Sequence, residues 1–158
     1  MNNTVIILAG GIGSRMKNPI PKQFLEINER MIIEYTIDKF LSNKYINDII
    51  VVCNKQWIDK VKNKNLNIKI IAGGNSRFES SYIGLKACNN NTKNVLIHDA
   101  VRPFVEDDLI NKAIEKLENY DATIPVVSCS DSIINRKSMK YINRDDIKMI
   151  QTPQGFKF

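Results

Sequence analysis

Residues 4–13 read TVIILAGGIG, an apolar run that ends in a cluster of glycines. The run at 4–9 has the length of a β-strand and no alternation of polar residues, which predicts a strand covered on both faces. Glycine has no Cβ, so glycines placed directly after a strand let the backbone turn tightly and approach a ligand closely. Gly10, Gly11 and Gly13 therefore predict a functional loop at the carboxyl end of a buried strand. A simple tight turn into the next element is the alternative.

Further apolar runs of strand length alternate with helical patterns along the chain. These runs lie at residues 48–53, 67–72, 94–98 and 122–127. Apolar residues recur with helical spacing at 32–41, 57–61, 78–85 and 109–117. Acidic residues at 106–108, and Ser76 three positions before Glu79, mark the beginning of two of these helices. The alternation predicts an α/β fold, a Rossmann-like domain of three layers with a mainly parallel sheet.

The composition is that of a single soluble domain. The chain has 158 residues, of which 43 % are apolar and 25 % charged, enough to bury one core. It contains no apolar run long enough to cross a membrane and no signal-peptide pattern at its amino end. Cys53, Cys88 and Cys129 have no spacing typical of zinc ligands and are expected to be reduced thiols. We therefore expect one cytoplasmic domain over residues 1–158.

The formal charge of +6 indicates an anionic partner. A nucleic-acid-binding protein would concentrate its cations on one element and interleave them with aromatic residues. Here the lysines are scattered through 55–69 and 136–148, among asparagine and aspartate. We interpret these lysines mostly as a solvated surface, so the charge by itself does not say which anionic partner the protein binds. RNA binding, an alternative that depends on the charge alone, would show a steep dependence on salt.

Polar residues gather where three of the predicted strands end. GGIGSR (10–15) follows the first strand, GGNSR (73–77) the third, and HDAVRP (98–103) the fourth. In a parallel α/β sheet the carboxyl ends of the strands meet at one edge, and ligands bind there. The glycines, cations and carboxylate of these segments therefore predict one anion-binding crevice.

The first loop differs from the familiar phosphate-binding motifs. A dinucleotide fingerprint would require glycine at position 16, where Met16 stands, and the GK[ST] of a P-loop is absent. Inward-facing backbone N–H groups could still form an oxyanion nest, to which Arg15 would add a bidentate contact. Pro19 and Pro21 restrict the backbone before Lys22, a cation suited to stabilising a phosphoryl group. A surface lysine after a rigid turn is the alternative.

The HDAVRP segment supplies a carboxylate and a second arginine. Asp99 would lie at the crevice, where Mg²⁺ binds through one or two carboxylates together with substrate phosphates. Arg102 is placed to contact a further phosphate. His98 is the only histidine of the chain, and no GxSxG segment supplies a nucleophile for it. We interpret His98 as a structural residue at the end of a strand.

Five segments, in order and at their intervals, carry a family resemblance: LAGGIGSRM (8–16), PKQF (21–24), GGNSR (73–77), HDAVRPF (98–104) and TPQGF (152–156). Together they resemble the sugar-alcohol-phosphate cytidylyltransferases, and the resemblance runs from residue 6 to residue 158. The first two segments and residues 55–57 favour the branch that acts on D-ribitol 5-phosphate. The branch of isoprenoid synthesis, which acts on 2-C-methyl-D-erythritol 4-phosphate, is the alternative.

The resemblance implies an Mg²⁺-dependent enzyme that transfers CMP from CTP to a polyol phosphate and releases pyrophosphate. With ribitol 5-phosphate the product would be CDP-ribitol, a precursor for teichoic acid or capsule. A CTP-binding module without catalysis is the alternative from another class. The residues that match the family's functional positions are Arg15 and Lys22 for catalysis; Leu8, Ala9, Gly10, Gly11, Gly13, Gly74, Arg77 and Ser80 for the nucleotide; Asp99 for the metal; and Arg102, Asp131 and Ser132 for the acceptor.

The last thirty residues depart from the α/β pattern. Residues 128–146 are polar and irregular, without a helical period, and predict an extended segment. The resemblance implies that residues 128–148 form an arm that crosses between the subunits of a homodimer. Relatives continue for several tens of residues beyond TPQGF, with an acidic segment and a late lysine. We therefore expect the chain to lack the domain's C-terminal elements, which leaves the activity of the 158-residue chain open.

Overall fold

The computed structural model describes residues 2–11, 18–62 and 68–158. Its strands are β1 (Asn3–Ala9), β2 (Glu26–Ile27), β3 (Arg30–Met31), β4 (Asp48–Cys53), β5 (Lys69–Ala72), β6 (Asn94–Asp99), β7 (Ala122–Thr123), β8 (Val126–Ser128), β9 (Ile133–Ile134), β10 (Tyr141–Ile142), β11 (Lys148–Ile150) and β12 (Gln154–Lys157). Its helices are α1 (Ile32–Leu41), α2 (Ile58–Lys62), α3 (Arg77–Lys86) and α4 (Asp107–Lys116). Short 3₁₀ turns lie at Lys22–Phe24, Lys55–Trp57 and Arg144–Asp146.

The main sheet has six strands in the order β5-β4-β1-β6-β12-β7. Strand β1 pairs in parallel with β4 and β6, and β4 pairs in parallel with β5. Strand β12 runs antiparallel to both of its neighbours. The predicted α/β fold with a mainly parallel sheet is therefore confirmed. The chain leaves β1 toward β4 and β5 and then returns to β6 on the other side, so the strand order reverses between β1 and β6.

Helices cover both faces of this sheet because the central strands are apolar on both sides. Ile7 points to the face covered by α1, α2 and α4, where Phe40 and Ile110 are fully buried. Ile6 points to the opposite face, where Leu85 of α3 packs against it in a second core cluster. The layers of helix, sheet and helix predicted from the apolar runs follow directly from this two-sided burial.

Helix α3 approaches the sheet most closely through its small residues. Phe78 and Tyr82 are 81 % and 50 % exposed, whereas Ser80 and Gly84 are buried. A Cβ on Gly84 would lie only 2.6 Å from Cγ2 of Ile6, so the absent side chain is what lets the helix approach the strand. Close approach of the backbone, and not aromatic bulk, therefore decides which side of α3 faces the sheet.

The carboxyl-terminal part of the sheet also differs from the prediction. The run at 122–127 is divided into β7 and β8 around Pro125, and most of it is exposed. The strand that was missed is β12, which lies between β6 and β7. Its sequence QGFK has little intrinsic strand preference. A Cβ on Gly155 would lie 2.5 Å from Oγ1 of Thr123, so glycine permits this pairing.

Residues 124–151 form ladders that pair with each other and not with the main sheet. Strand β8 pairs with β11, and β9 pairs with β10, both antiparallel. The extended segment predicted at 128–146 is therefore present as two short ladders. Many of its large apolar side chains are exposed: Val126, Val127, Ile134, Met139, Tyr141, Met149 and Ile150.

The cysteines are free thiols, and Cys53 and Cys129 are buried. Burial raises the pKa of Cys53 to about 11 and also raises the pKa of Cys88 above its ordinary value. Both thiols are therefore neutral at physiological pH and poor nucleophiles. None of the helices in the described ranges is both long and apolar enough to span a bilayer.

Candidate active site

The parallel strands end together at one edge of the sheet. The register places Ala9 opposite Cys53, and Cys53 opposite Ala72. On the other side of β1, Leu8 lies opposite Asp99. This edge includes the point between β1 and β6 where the strand order reverses, which is where α/β sheets open a crevice for ligands. The predicted crevice therefore has Asp99 on one of its walls.

Two glycine loops meet at the hydroxyl group of Ser80. The amide of Gly74 donates a hydrogen bond of 3.2 Å to Ser80 Oγ. A Cβ on Gly73 would lie 2.9 Å from this oxygen, and one on Gly10 would lie 3.5 Å from it. Because Ser80 is only 4 % exposed, the backbone of both loops packs closely around it. The structure thus brings together Gly10, Gly74 and Ser80, three of the residues assigned to the nucleotide.

Helix α3 begins at the second of these loops, where two reciprocal hydrogen bonds cap its N-terminus. The amide of Glu79 donates a hydrogen bond of 3.0 Å to Ser76 Oγ, as the spacing of these residues predicts. In return, Glu79 Oε2 accepts a hydrogen bond of 2.6 Å from the amide of Asn75. A Cβ on Gly74 would lie 2.5 Å from Cβ of Glu79. Glu79 therefore shapes the loop, a role that its capping position could have indicated.

Two guanidinium groups approach the carboxylate of Asp99 from different elements. Arg77 of α3 contacts Asp99 Oδ1 through Nη2 at 3.3 Å, and Arg102 contacts Oδ2 through Nε at 3.4 Å. Tight contacts of this type are shorter, at about 2.8 Å. The trio carries a net positive charge, and its side chains are partly exposed. This arrangement suits the binding of an additional anion.

Buried side chains hold the turn that carries Asp99 and Arg102. The amide of Ala100 donates a hydrogen bond of 3.0 Å to the carbonyl of Leu8. The hydroxyl of Thr36, fully buried on α1, donates a bond of 2.8 Å to the carbonyl of Ala100. Thr36 is a supporting residue that sequence reasoning missed, because an apolar helix pattern treats a buried threonine as part of the core.

His98 supports the same turn from the core. Its Nε2 lies 3.0 Å from the carbonyl oxygen of Arg102; since a carbonyl only accepts, Nε2 carries the proton. Its Nδ1 has no hydrogen-bond partner among the described residues, and the ring packs edge-on against Phe40. Burial lowers the pKa of His98 to about 4. The ring is therefore neutral at physiological pH, in agreement with the structural role expected for it.

The segment before β12 reaches the crevice as well. Gln151 Oε1 accepts a hydrogen bond from Nη1 of Arg102, and Thr152 Oγ1 lies 3.5 Å from the amide of Asp99. Both residues were absent from the predicted site, although Thr152 begins the TPQGF segment that carries part of the family resemblance. Their placement depends on the pairing of β12 with β6, which the sequence pattern did not reveal.

Lys22 lies exposed on the 3₁₀ turn Lys22–Phe24 and lines a cavity of about 1150 Å³. Arg102, Gln151 and Thr152 line the same cavity. Lys22 and Arg102, two cations that the sequence assigns to the site, therefore line the same cavity.

Residues 3–158 match the family model of IspD, 2-C-methyl-D-erythritol 4-phosphate cytidylyltransferase. The chain belongs to this family. It is 39 % identical to the 2-C-methyl-D-erythritol 4-phosphate cytidylyltransferase of Clostridium botulinum strain Langeland, over 99 % of this chain and 72 % of that protein. It is 38 % identical to the bifunctional enzyme IspD/IspF of Pelagibacter ubique, over 100 % of this chain and 44 % of that enzyme.

Among solved structures, the fold is similar to 4-diphosphocytidyl-2C-methyl-D-erythritol synthase from Anaerococcus prevotii. The TM-score is 0.84 at 34 % identity, over 99 % of this chain and 70 % of that one. The chain thus spans under half of the bifunctional relative and about seven tenths of the shorter ones. These names support 2-C-methyl-D-erythritol 4-phosphate better than ribitol 5-phosphate, the acceptor that the sequence motifs favour.

Four of the family-matched residues are not brought to this site by described contacts. Gly13 and Arg15 lie outside the described residues. Asp131 and Ser132 are exposed on the ladders of residues 124–151. Arg144, which was not predicted, donates a hydrogen bond of 3.3 Å to the carbonyl of Ser130 and so lies beside them.

The buried imidazole of His98 predicts a specific dependence of stability on pH. As the pH falls from 6.5 toward 4, the unfolded chain binds a proton on His98 that the folded protein does not bind. The free energy of unfolding should therefore decrease through this window, by on the order of 3 kcal/mol from this residue alone. Urea titrations of the wild type and His98→Gln at pH 7 and pH 4 isolate the effect. The stability advantage of the wild type should shrink by that amount, whereas a constant difference would exclude His98 as the titrating group.

Proposed function

We propose that this protein transfers CMP from CTP to 2-C-methyl-D-erythritol 4-phosphate, a reaction of isoprenoid synthesis. The products are pyrophosphate and 4-diphosphocytidyl-2C-methyl-D-erythritol. The observation that carries the proposal is the carboxylate of Asp99 between Arg77 and Arg102, at the edge where the glycine loops also end. Membership of the family supports the acceptor.

In this reaction an oxygen of the acceptor phosphate attacks the α-phosphorus of CTP. A new P–O bond forms as the bond from the α-phosphorus to the oxygen of the leaving pyrophosphate breaks. The attacking oxygen is already anionic, so no base is needed. Negative charge increases on the leaving group, and cations around the triphosphate stabilise it. Lys22 and Arg15 are proposed for this role, and the neutral thiol of Cys53 takes no part.

The loops around Ser80 are proposed to bind the nucleoside part of CTP. The glycines at positions 10, 73 and 74 have no Cβ, which lets their backbone pack closely on Ser80 and Glu79, and this packing fixes the loops. Backbone N–H and C=O groups held in this way can recognise the edge of a base by hydrogen bonds. Arg77, one turn before Ser80 on α3, would then reach the phosphates.

The residues at the crevice fit a magnesium ion that is shared with substrate. Mg²⁺ binds through one or two protein carboxylates and completes its coordination with phosphates and water. Asp99 is a partly buried carboxylate whose contacts to arginine are longer than tight ones. In the described part of the chain, no group of three acidic, histidine or cysteine side chains is placed to hold a metal ion by itself. Asp99 is therefore proposed to hold the ion, which neutralises triphosphate charge when bound.

The acceptor is proposed to bind between Arg102 and the arm of a second copy of the chain. The ladders of residues 124–151 expose apolar side chains such as Val126, Tyr141 and Ile150, as expected for a surface that another chain covers. Asp131 and Ser132 lie on these ladders, and Arg144 lies beside them. In a homodimer, the arm of one subunit would complete the site of the other.

The acceptor is tested by release of pyrophosphate from CTP and Mg²⁺. We expect turnover with 2-C-methyl-D-erythritol 4-phosphate, and turnover slower by roughly 100-fold with ribitol 5-phosphate, because the site must place the attacking phosphate correctly. Faster turnover with ribitol 5-phosphate would contradict the proposed acceptor. Binding of CTP without turnover on either acceptor would instead support a nucleotide-binding module.

The metal site is tested by Asp99→Asn, which keeps the shape of the side chain but removes its charge. We expect the Mg²⁺ concentration for half-maximal rate to rise and kcat to fall by roughly 100-fold, since the ion loses a protein ligand. Asp121→Asn is the matched control, because Asp121 is exposed and pairs with Lys157, far along the sheet from Asp99. An unchanged response to Mg²⁺ in Asp99→Asn would exclude this aspartate as a ligand.

The shared site is tested by mixing two variants, each of which is expected to keep only a small residual activity. Lys22→Ala removes a cation of the main domain, and Asp131→Ala removes a carboxylate of the arm. If the arm acts on the other subunit, each mixed dimer contains one intact site, and equal mixing should restore about one quarter of the wild-type rate. A mixture that stays as inactive as its components would show that Asp131 does not act across a dimer.

A further inference from the structure

We infer that Gln23 is a positioning residue, one that holds Lys22 and the first glycine loop in a fixed relation to each other. The inference rests on the proposed function in so far as Lys22 acts on the triphosphate of CTP. Gln23 was not among the residues predicted from the sequence, where only the neighbouring lysine was assigned a role.

A single side-chain amide connects the two segments. Nε2 of Gln23 donates hydrogen bonds of 2.6 Å to the carbonyl of Ala9 and 2.7 Å to the carbonyl of Gly11. Carbonyl oxygens only accept, so the atom between them must be the nitrogen of the amide. Gln23 is 3 % exposed. Both N–H groups are thus used in a buried contact with the residues on either side of Gly10.

In the turn that carries Lys22, the residues on both sides of the lysine are buried. Pro21, Gln23 and Phe24 are buried, whereas Lys22 is exposed. Consecutive residues of a 3₁₀ turn point in directions about 120° apart. With Gln23 and Phe24 directed into the protein, Lys22 is directed outward, into the cavity that it shares with Arg102. The direction of the lysine is therefore set by its two neighbours.

A second turn of nearly the same sequence provides an internal comparison. Lys22–Phe24 reads KQF and Lys55–Trp57 reads KQW, and both are 3₁₀ turns. Their aromatic rings stack on each other at 4.4 Å between centroids and 10° between planes. Gln56 is exposed in the second turn, whereas Gln23 is buried in the first. The aromatic anchor is common to both turns, and the buried glutamine distinguishes the one that bears the proposed catalytic lysine.

Phe24 and the amide of Gln23 have separable tasks. The ring of Phe24 holds the turn against the segment after β4 by stacking on Trp57, a contact that does not involve the amide of Gln23. The amide fastens the turn to the end of β1, where the glycine loop begins. Removal of the amide alone should leave the turn folded but free its lysine to shift relative to the loop. A shift of this kind affects a reaction that depends on the placement of charge.

The inference is tested by Gln23→Met, which conserves the length of the side chain and removes both hydrogen bonds. We expect kcat/KM for CTP to fall by roughly 10- to 100-fold, as for other residues that orient a catalytic group. Gln56→Met, the same substitution in the matched turn, should change kcat/KM by less than about 2-fold. Comparable losses in the two variants would overturn the inference.

A double-mutant cycle separates positioning from a general structural effect. If Gln23 acts through Lys22, then Gln23→Met should cause little further loss in a protein that already carries Lys22→Ala. A full additional loss in that background would show that Gln23 acts independently of the lysine, and would overturn the inference. Lys55→Ala, the matched cation of the second turn, serves as the background in which the effect of Gln23→Met should persist.

A measurement on the wild type requires neither activity nor a variant that folds. In NMR spectra the side-chain amide protons of Gln23 should exchange with water at least about 10-fold more slowly than those of the exposed Gln56, because both are hydrogen-bonded in the interior. Exchange as fast as that of Gln56 would overturn the inference even in an active enzyme. A protein that does not turn over 2-C-methyl-D-erythritol 4-phosphate but shows slow exchange would refute the proposed acceptor and retain the connection made by Gln23.

Discussion

The parallel pairing of β1 with β4 on one side and β6 on the other is the constraint on which the rest of the molecule depends. It makes β1 the central strand, buried on both faces, and its register brings Ala9, Cys53 and Asp99 to one edge. Chain segments that are far apart in sequence can therefore supply side chains to one crevice. The strand order reverses beside β1, and in α/β sheets such a reversal is where the connections separate and a crevice forms. The glycine loop, the aspartate and the cations all depend on this register.

The crevice combines a buried, uncharged support with charged side chains that are partly exposed. Thr36 and His98 are buried and uncharged at neutral pH, and each binds a carbonyl of the turn after β6. The charged residues that this turn presents, Asp99 and Arg102, are partly exposed and paired over longer distances. Fixing the backbone with neutral groups avoids the cost of burying charge. Because Asp99 and Arg102 are accessible, each can replace its present ionic partner with a ligand.

The sequence was sufficient for the strands and helices that are defined by burial. Strands β1, β4 and β6 and helices α1 and α4 follow from apolar runs and periodicity, since their own side chains form the core. Strand β12 was missed because pairing with β6 and β7, and not the preference of QGFK, makes it a strand. The residues of the candidate site also fall into a group that the sequence predicts and a group that it does not. Gly74 and Asp99 lie at strand ends, where the sequence predicts them, but their roles stay predictions. Gln23, Thr36 and Gln151 were missed because they act through contacts between distant segments.

The position of β12 beside β7 has a consequence for how the chain can vary. Thr123 lies directly opposite Gly155, so the chain departs from the sheet and returns to it at adjacent points. Residues 124–153 form a loop whose two ends are held together by the sheet, whatever the length or sequence of the loop. The edge that carries Asp99 belongs to the sheet, whereas Asp131, Ser132 and Arg144 belong to this loop. Gln151 and Thr152 of this loop contact Arg102 and Asp99, so substitutions near its carboxyl end reach the crevice, whereas changes around residues 131–144 leave the register of the sheet intact.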